Sequence, residues 1–411
     1  MCALSACKWT AFDDLREEAW VNATDKPDNG STNWGLAIQR GSQAGGKLVV
    51  LGTSQSVYNE IEYSANGDAK IAGTEVDLGD LGVANLDPQP ILLADPASDD
   101  VALVTKTGPQ QVLVLEGTSG QLVGHQVFGA DSTDAATFMV APGIGAIADP
   151  AQPAQPIVGA LDTLYGTFYN PPEMPFMQVK CKLLDGATPI EIRALGAFRP
   201  TGAMTDDVAV WASNKKIYRV PGGVFNGGRD PGGACPDGNA DGVGELDLTG
   251  VPQLDTTFVP EAGSQILVFG DTFGVIQGHS NAGGGSHLQV VDLATMAAVG
   301  NPVTEQGLRS AAVYAQGGQF AVVAGYPGAL VDGVSCGKVE VYDMDTTTGI
   351  DGATVVETLN DAQPDDGQSF GRSVATLALN GQQVIAVGAD NEVFLYFRTS
   401  TLYTDDVRTG R

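Results

Sequence analysis

Gln383-Val-Ile-Ala-Val-Gly388 is a short apolar run closed by glycine, and it decides the fold because it recurs. Earlier versions are Phe320-Ala-Val-Val-Ala-Gly325, Gln265-Ile-Leu-Val-Phe-Gly270, Asp207-Val-Ala-Val-Trp-Ala212, Pro156-Ile-Val-Gly-Ala160, Asp100-Val-Ala-Leu-Val-Thr105 and Lys47-Leu-Val-Val-Leu-Gly52. These seven copies start 51 to 63 residues apart. Runs this short and this uniformly apolar suit strands covered on both faces. A more alternating strand usually follows after a turn, as in Gln111–Leu115, Lys216–Val220, His287–Val291, Lys338–Tyr342 and Glu392–Tyr396. Several of these end in aromatic or β-branched residues, as strands nearer a sheet's exterior do. No segment carries sustained helical periodicity with caps. The stretch from Phe12 to Trp20 is compatible with one short helix, or with entry into a strand.

A fixed period of this length is the signature of a repeat architecture. The unit is long enough for a four-stranded blade plus loops. The expected fold is therefore all-β: a seven-bladed β-propeller of four-stranded antiparallel blades. The two ends of the chain also match each other. Pro27-Asp-Asn-Gly-Ser-Thr-Asn-Trp-Gly35 parallels Pro364-Asp-Asp-Gly-Gln-Ser-Phe-Gly371. Glu18–Asn22 then corresponds to an outer strand, expected to close the ring against the last blade and remove an exposed edge. The expected organisation is residues 1–17 as a signal remnant and tether, and residues 18–411 as the propeller.

The last copies carry a family signature. Ser369-Phe370-Gly371-Arg372-Ser373-Val374-Ala375, Val387-Gly388-Ala389-Asp390 and Val393–Tyr396 together resemble an FG-GAP repeat of the integrin α type. Ala324-Gly325-Tyr326-Pro327 stands where that family has Gly-Ala-Pro, and Asn33-Trp34-Gly35 carries Trp for Phe. In the middle of the chain Phe128-Gly129 and Phe273-Gly274 fall out of phase with the apolar runs. The glycines read as sites of tight turns or close backbone approach.

One motif carries ligand chemistry. Asp237-Gly-Asn239-Ala-Asp241-Gly242-Val243-Gly244-Glu245 puts oxygen donors on alternate residues and a glycine at the sharp turn. The carbonyl of Val243 and the carboxylate of Glu245 complete an all-oxygen set suited to Ca2+. It resembles the DxDxDGxxD loops of integrin-type propellers, with Asn239 and Glu245 in place of aspartates. An EF-hand would need Glu where Leu248 stands, and helical flanks.

Leu4-Ser5-Ala6-Cys7 resembles a bacterial lipobox, which implies lipidation of Cys7 and, with Lys8 following, the outer membrane or cell surface. A basic leader region and a full apolar segment do not precede it. The chain has no run approaching the roughly 18 apolar residues of a spanning helix.

The formal net charge is −28. Such a surface repels phosphate, which argues against nucleic acid as a partner and leaves divalent cations as the class it invites. Cys2, Cys7, Cys181, Cys235 and Cys336 form no CxxC pair. Two of the last three can join in a disulfide if the protein is exported. His279 and His287 read as surface-loop residues, and His125 lies in another blade. Asp343, Asp345 and Asp351 read as a solvated hairpin turn, and Asp95, Asp99 and Asp100 flank a strand. Asn22-Ala-Thr24 and Asn29-Gly-Ser31 fit the glycosylation pattern. No nucleophile elbow, zinc helix, phosphate loop, Asp-box or WD pattern is present. The expectation is a calcium-braced binding, adhesion or structural module rather than an enzyme, with a loop face for a protein or glycan. The alternative is a hydrolase or lyase using carboxylates from different blades at the central channel.

Overall fold

The computed structural model describes residues 18–22, 34–39, 47–52, 57–63, 69–77, 91–92, 101–104, 110–115, 122–128, 139–144, 155–170, 173–202, 207–224, 244–260, 264–270, 272–278, 285–316, 319–360, 367, 369–379, 382–389 and 392–399. Strands before Ile157 are described through their backbone.

After β1 (Glu18–Asn22) the chain lays down four-stranded sheets in succession. The first holds β2 (Trp34–Gln39), β3 (Lys47–Gly52), β4 (Val57–Tyr63) and β5 (Ala69–Asp77). The second holds β6 (Ile91–Leu92), β7 (Val101–Val104), β8 (Gln110–Leu115) and β9 (Leu122–Phe128). The third holds β10 (Met139–Ile144), β11 (Gln155–Ala160), β12 (Thr163–Asn170) and β13 (Glu173–Asp185), with β14 (Thr188–Pro189) added in a hairpin. The fourth holds β15 (Ile192–Phe198), β16 (Asp207–Ala212), β17 (Lys216–Val220) and β19 (Gln253–Asp255). Between the last two of these, β18 (Gly244–Asp247) crosses over to pair in parallel with β13.

The fifth sheet holds β20 (Gln265–Phe269), β21 (Phe273–Gly278), β22 (Ser286–Asp292) and β23 (Ala297–Glu305). The sixth holds β24 (Ser310–Gln316), β25 (Gln319–Tyr326), β28 (Lys338–Asp345) and β29 (Gly349–Leu359). A small hairpin, β26 (Leu330–Val331) and β27 (Val334–Ser335), stands between β25 and β28. The last sheet holds β30 (Ser373–Leu379), β31 (Gln382–Gly388) and β32 (Glu392–Thr399), and its fourth strand is β1. Glu18 pairs with Tyr396 and Asn22 with Glu392, antiparallel. Within each four-stranded sheet neighbours are antiparallel, as in a β-propeller.

First strands of successive sheets touch one another. β2 contacts β6, β6 contacts β10, and the series continues through β15, β20, β24 and β30 back to β2. The apolar core sits between the sheets, where two faces meet. Val210 and Tyr218 of the fourth sheet pack with Leu164 and Leu183 of the third. Ala209, Trp211 and Ile217 turn the other way, toward Ile266, Ile276 and Val291 of the fifth. This is why β16 is buried at every position and shows no alternation.

The recurring apolar run is the second strand in six of these sheets, as β3, β7, β11, β16, β25 and β31. The fifth sheet departs from that reading. There Gln265–Phe269 is the first strand, and the second is Phe273–Gly278. Phe273-Gly274 therefore opens a second strand, whereas Phe370-Gly371 precedes a first strand, so the middle dipeptide stays out of phase with the signature. Both strands are apolar because the first and second strands of a sheet each lie between neighbouring sheets, so hydrophobicity alone does not distinguish them.

The signature glycines sit at a close approach of backbones. Gly371 has φ +86°, and a Cβ there would meet the Lys338 carbonyl oxygen at 2.7 Å. A Cβ on Gly325 would collide with the Gly371 carbonyl. Phe370 beside it is fully buried against Phe394 and Tyr396. The mechanical reading of those glycines agrees with this geometry.

Candidate functional site

Of the expected calcium ligands, Asp237, Asn239, Asp241 and Val243 lie outside the described residues, as does the lipidation candidate Cys7. Glu245 is described. It is exposed on β18, in register with Lys182 of β13. The strand carrying it is fixed at its far end. Leu248 N–H donates to the Leu184 carbonyl at 2.8 Å. Asp247 Oδ1 accepts from the backbone N–H of Gly186 at 3.0 Å and of Thr249 at 2.9 Å. The hydrogen bonds from Thr249 and then Gly186 hold the Asp247 carboxyl below its ordinary value. Among the described residues no group of three His, Cys, Asp or Glu is placed to hold a metal ion.

Cys181, fully buried on β13 opposite Gly244, is disulfide-bonded, whereas Cys336 is buried, forms no disulfide and directs its Sγ to the Gly337 carbonyl at 3.6 Å. A bond between those two is thereby excluded. The partner of Cys181 lies outside the described residues.

Two ionisable clusters lie where one sheet meets the next, and the sequence reading had singled out neither. Between the third and fourth sheets, Asp185 ends β13 and faces the start of β17. Asp185 Oδ2 accepts from the Tyr218 hydroxyl at 3.1 Å and pairs with Lys216 Nζ at 3.5 Å. Asn214 Nδ2 donates to the same hydroxyl at 2.6 Å. Burial, with Asp185 nearby, pushes the Tyr218 hydroxyl up to about 12.

The second cluster joins the fifth and sixth sheets. Tyr342 donates to Glu340 Oε2 at 2.6 Å, and the Tyr326 and Tyr342 hydroxyls are 2.9 Å apart. Lys338 Nζ pairs with the other oxygen of Glu340 and lies 5.4 Å from the Tyr326 ring centre. Tyr326, Tyr342 and Glu340 are buried. Desolvation pushes both tyrosine hydroxyls well above their usual range. Glu305, at the end of β23, faces this group. Burial raises its carboxyl, Glu340 raises it further, and Lys338 partly offsets both. In each cluster an acid ending the fourth strand of one sheet meets a lysine and a tyrosine on the third strand of the next. The sequence signal was available: Lys216-Ile-Tyr218 and Lys338-Val-Glu340-Val-Tyr342 both open an apolar strand with charge.

The remaining candidates have structural uses. His287 is a strand residue, not a loop residue. Its ring stacks on Phe258 at 4.5 Å, and Nδ1 lies 3.0 Å from the Thr304 hydroxyl. Burial lowers its pKa. His125 lies on β9 and His279 outside the described residues. Asp345 Oδ1 caps the turn into β29 by accepting from the N–H groups of Thr347 and Thr348. A hydrogen bond from the Thr347 side chain, followed by these two backbone bonds, holds its carboxyl low, as a solvated turn implies. Among the described residues no helix is long and apolar enough to cross a membrane.

No protein-family model matches the chain, and no curated protein does. Among solved structures it is similar to Saccharomyces cerevisiae Sqt1, a WD40 propeller, with a TM-score of 0.53 over 94% of this chain and 100% of that chain. Sequence identity is 9%, so the likeness is one of fold: antiparallel four-stranded sheets of the β-propeller kind, reached without the WD pattern.

Proposed function

We propose that the chain is a seven-bladed, ring-closed propeller acting as an exported binding or structural module, with Ca2+ bracing one loop of the fourth blade. The circuit of first-strand contacts and the pairing of β1 with β32 support ring closure. The disulfide at Cys181 supports an oxidising, extracytoplasmic setting, since such bonds persist there. Attachment through a lipid on Cys7 belongs to the same reading.

The observation that carries the binding reading over the enzyme reading is the composition of the innermost strands. The first strands of the sheets read WGLAIQ, IL, MVAPGI, IRALGAF, QILVF, SAAVYAQ and SVATLAL. Among the described residues these strands carry no carboxylate and no histidine. A channel hydrolase needs two acids placed there. The described acids with shifted pKa lie at strand ends and turns instead, where Asp247 and Asp345 cap backbone N–H groups and burial raises Glu305. The acidic surface then serves solubility and cation binding, and the loops present the face for a protein or glycan.

The test is a calcium titration by calorimetry, comparing the wild type with Asp237→Ala/Asp241→Ala. Saturable binding in the wild type, lost in the double variant with the melting curve of the ring otherwise retained, is the expected result. Absence of heat at millimolar Ca2+ removes the metal from the reading. Hydrolysis or elimination activity on glycans, surviving in the double variant, would replace the binding module with the channel enzyme.

A further inference from the structure

Cys181 sits in the core where the third and fourth sheets meet. It shares one apolar cluster with Leu164 and Leu183 of the third sheet and with Val208, Val210 and Tyr218 of the fourth. It is fully buried and disulfide-bonded. The other cysteines differ in where the fold anchors them. Cys336 forms no disulfide. Cys2 and Cys7 precede β1, which belongs to the last sheet. In the series of first-strand contacts, the first and second sheets stand between that sheet and the third.

Cys235 lies outside the described residues, within residues 225–243, but both ends of that segment are described and both lead to Cys181. At one end, Val224 N–H donates to the Pro221 carbonyl at 3.1 Å, and Gly222 N–H donates to Asp207 Oδ1 at 3.1 Å. Val224 packs against the same apolar cluster that contains Cys181. At the other end, Gly244 is in register with Cys181 itself, where β18 pairs with β13. Leu246 packs on that cluster too, and Leu248 is part of it. Cys235 is eleven residues after Val224 and nine before Gly244. A segment that leaves and returns at one place keeps its middle near that place, and closing a short loop costs less entropy than closing a long one.

We propose that Cys181 is bonded to Cys235, and that this bond closes the stretch carrying Asp237, Asn239, Asp241 and Val243 into a loop pinned to β13 at both ends. One end is covalent. The other is the pairing of Gly244 and Glu245 with Cys181 and Lys182. Forming the bond takes two protons and two electrons from the two thiols, passed by thiol–disulfide exchange to another disulfide, which is reduced. Burial of Cys181 then shields the bond from further exchange. What concerns Ca2+ here rests on the binding reading proposed above. A loop held at both ends has less freedom to lose when a cation draws its oxygens together. The bond therefore raises affinity without touching the ion.

The first test is peptic digestion of the full chain at acid pH, with thiols blocked and no reductant, followed by mass spectrometry. The expected result is a peptide containing Cys181 joined to one containing Cys235, and separated by a dithiol. Linkage of Cys181 to Cys2, to Cys7 or to a second molecule overturns the assignment. The pinning is read by amide hydrogen exchange over residues 225–243 in the wild type and in Cys235→Ser, which leaves the buried Cys181 in place. Exchange there should quicken several-fold in the variant, while β16, β17 and β21 keep their protection. Equal exchange in the two proteins overturns the pinning. In the calcium titration Cys235→Ser should bind about tenfold more weakly than the wild type. Equal affinity overturns the link between the bond and the ion. Absence of Ca2+ uptake by the wild type removes the metal reading alone, because mapping and exchange decide the bond and the loop.

Discussion

At the scale of single residues, Gly371 shows how a sequence signature becomes a steric requirement. Its positive φ and its distance to the Lys338 carbonyl leave no place for a side chain. Replacing it with alanine must either move β28 or turn the backbone out of the left-handed region. Gly371→Ala is expected to destabilise the chain by about 1–3 kcal/mol, the usual cost of a strained backbone position. A shift of the urea midpoint at unchanged slope checks this, and a midpoint equal to wild type would show that the approach of the strands relaxes freely. This glycine was legible because Phe370 precedes it in a recognisable motif. Glu305 was not legible, because nothing in Pro302-Val-Thr-Glu305 reveals that Glu340 stands across a sheet boundary from it.

At the scale of elements, the seams between sheets differ in what holds them. The seam between the fourth and fifth sheets is fastened by Arg219 on β17. Its Nε donates to Asp207 Oδ2 at 2.6 Å, and Nη1 donates across the seam to the Ala294 carbonyl at 2.6 Å. Asp207, buried, also accepts from Gly222 N–H at 3.1 Å. Arg219→Met keeps the apolar stem over Phe198 but strands a buried carboxylate, a change that costs about 3 kcal/mol. Thermal unfolding should drop by several degrees, and the double variant Arg219→Met/Asp207→Asn should recover part of the loss. No recovery would mean that the bond to Ala294 matters more than the ion pair. The elements themselves were readable as apolar runs. Their order within a sheet was not, as the fifth sheet shows: Gln265–Phe269 and Phe273–Gly278 are both apolar, and only pairing tells first from second.

At the scale of the whole molecule, the first strand in sequence belongs to the last sheet. β1 covers the outer edge of β32 across the full length from Glu18 to Asn22. Without it, β32 presents free N–H and C=O groups, a template for pairing with another chain. A chain lacking residues 1–22 is therefore expected to self-associate at concentrations where the full chain does not. Light scattering against concentration measures this, and an equally monodisperse truncated chain would show that the edge is covered by other means. The long connection between β17 and β19 likewise ties neighbouring sheets, because β18 leaves the fourth sheet to pair with β13 of the third.

Sequence by itself determined the all-β class, the repeating unit, the strand that each copy contains and the pairing of the chain's two ends. Each of these rests on local pattern: apolar runs, glycine punctuation and a period that does not depend on partners. Tertiary structure alone decided what faces what. It set the phase of the fifth sheet, the crossing of β18, the burial of Cys336 and the bonded state of Cys181. It also brought Glu305 to Lys338 and Glu340. The physical reason is that these contacts join residues from different sheets, and their energies come from desolvation and charge at a shared seam. A linear pattern of hydrophobicity carries no trace of such a seam until the sheets have packed.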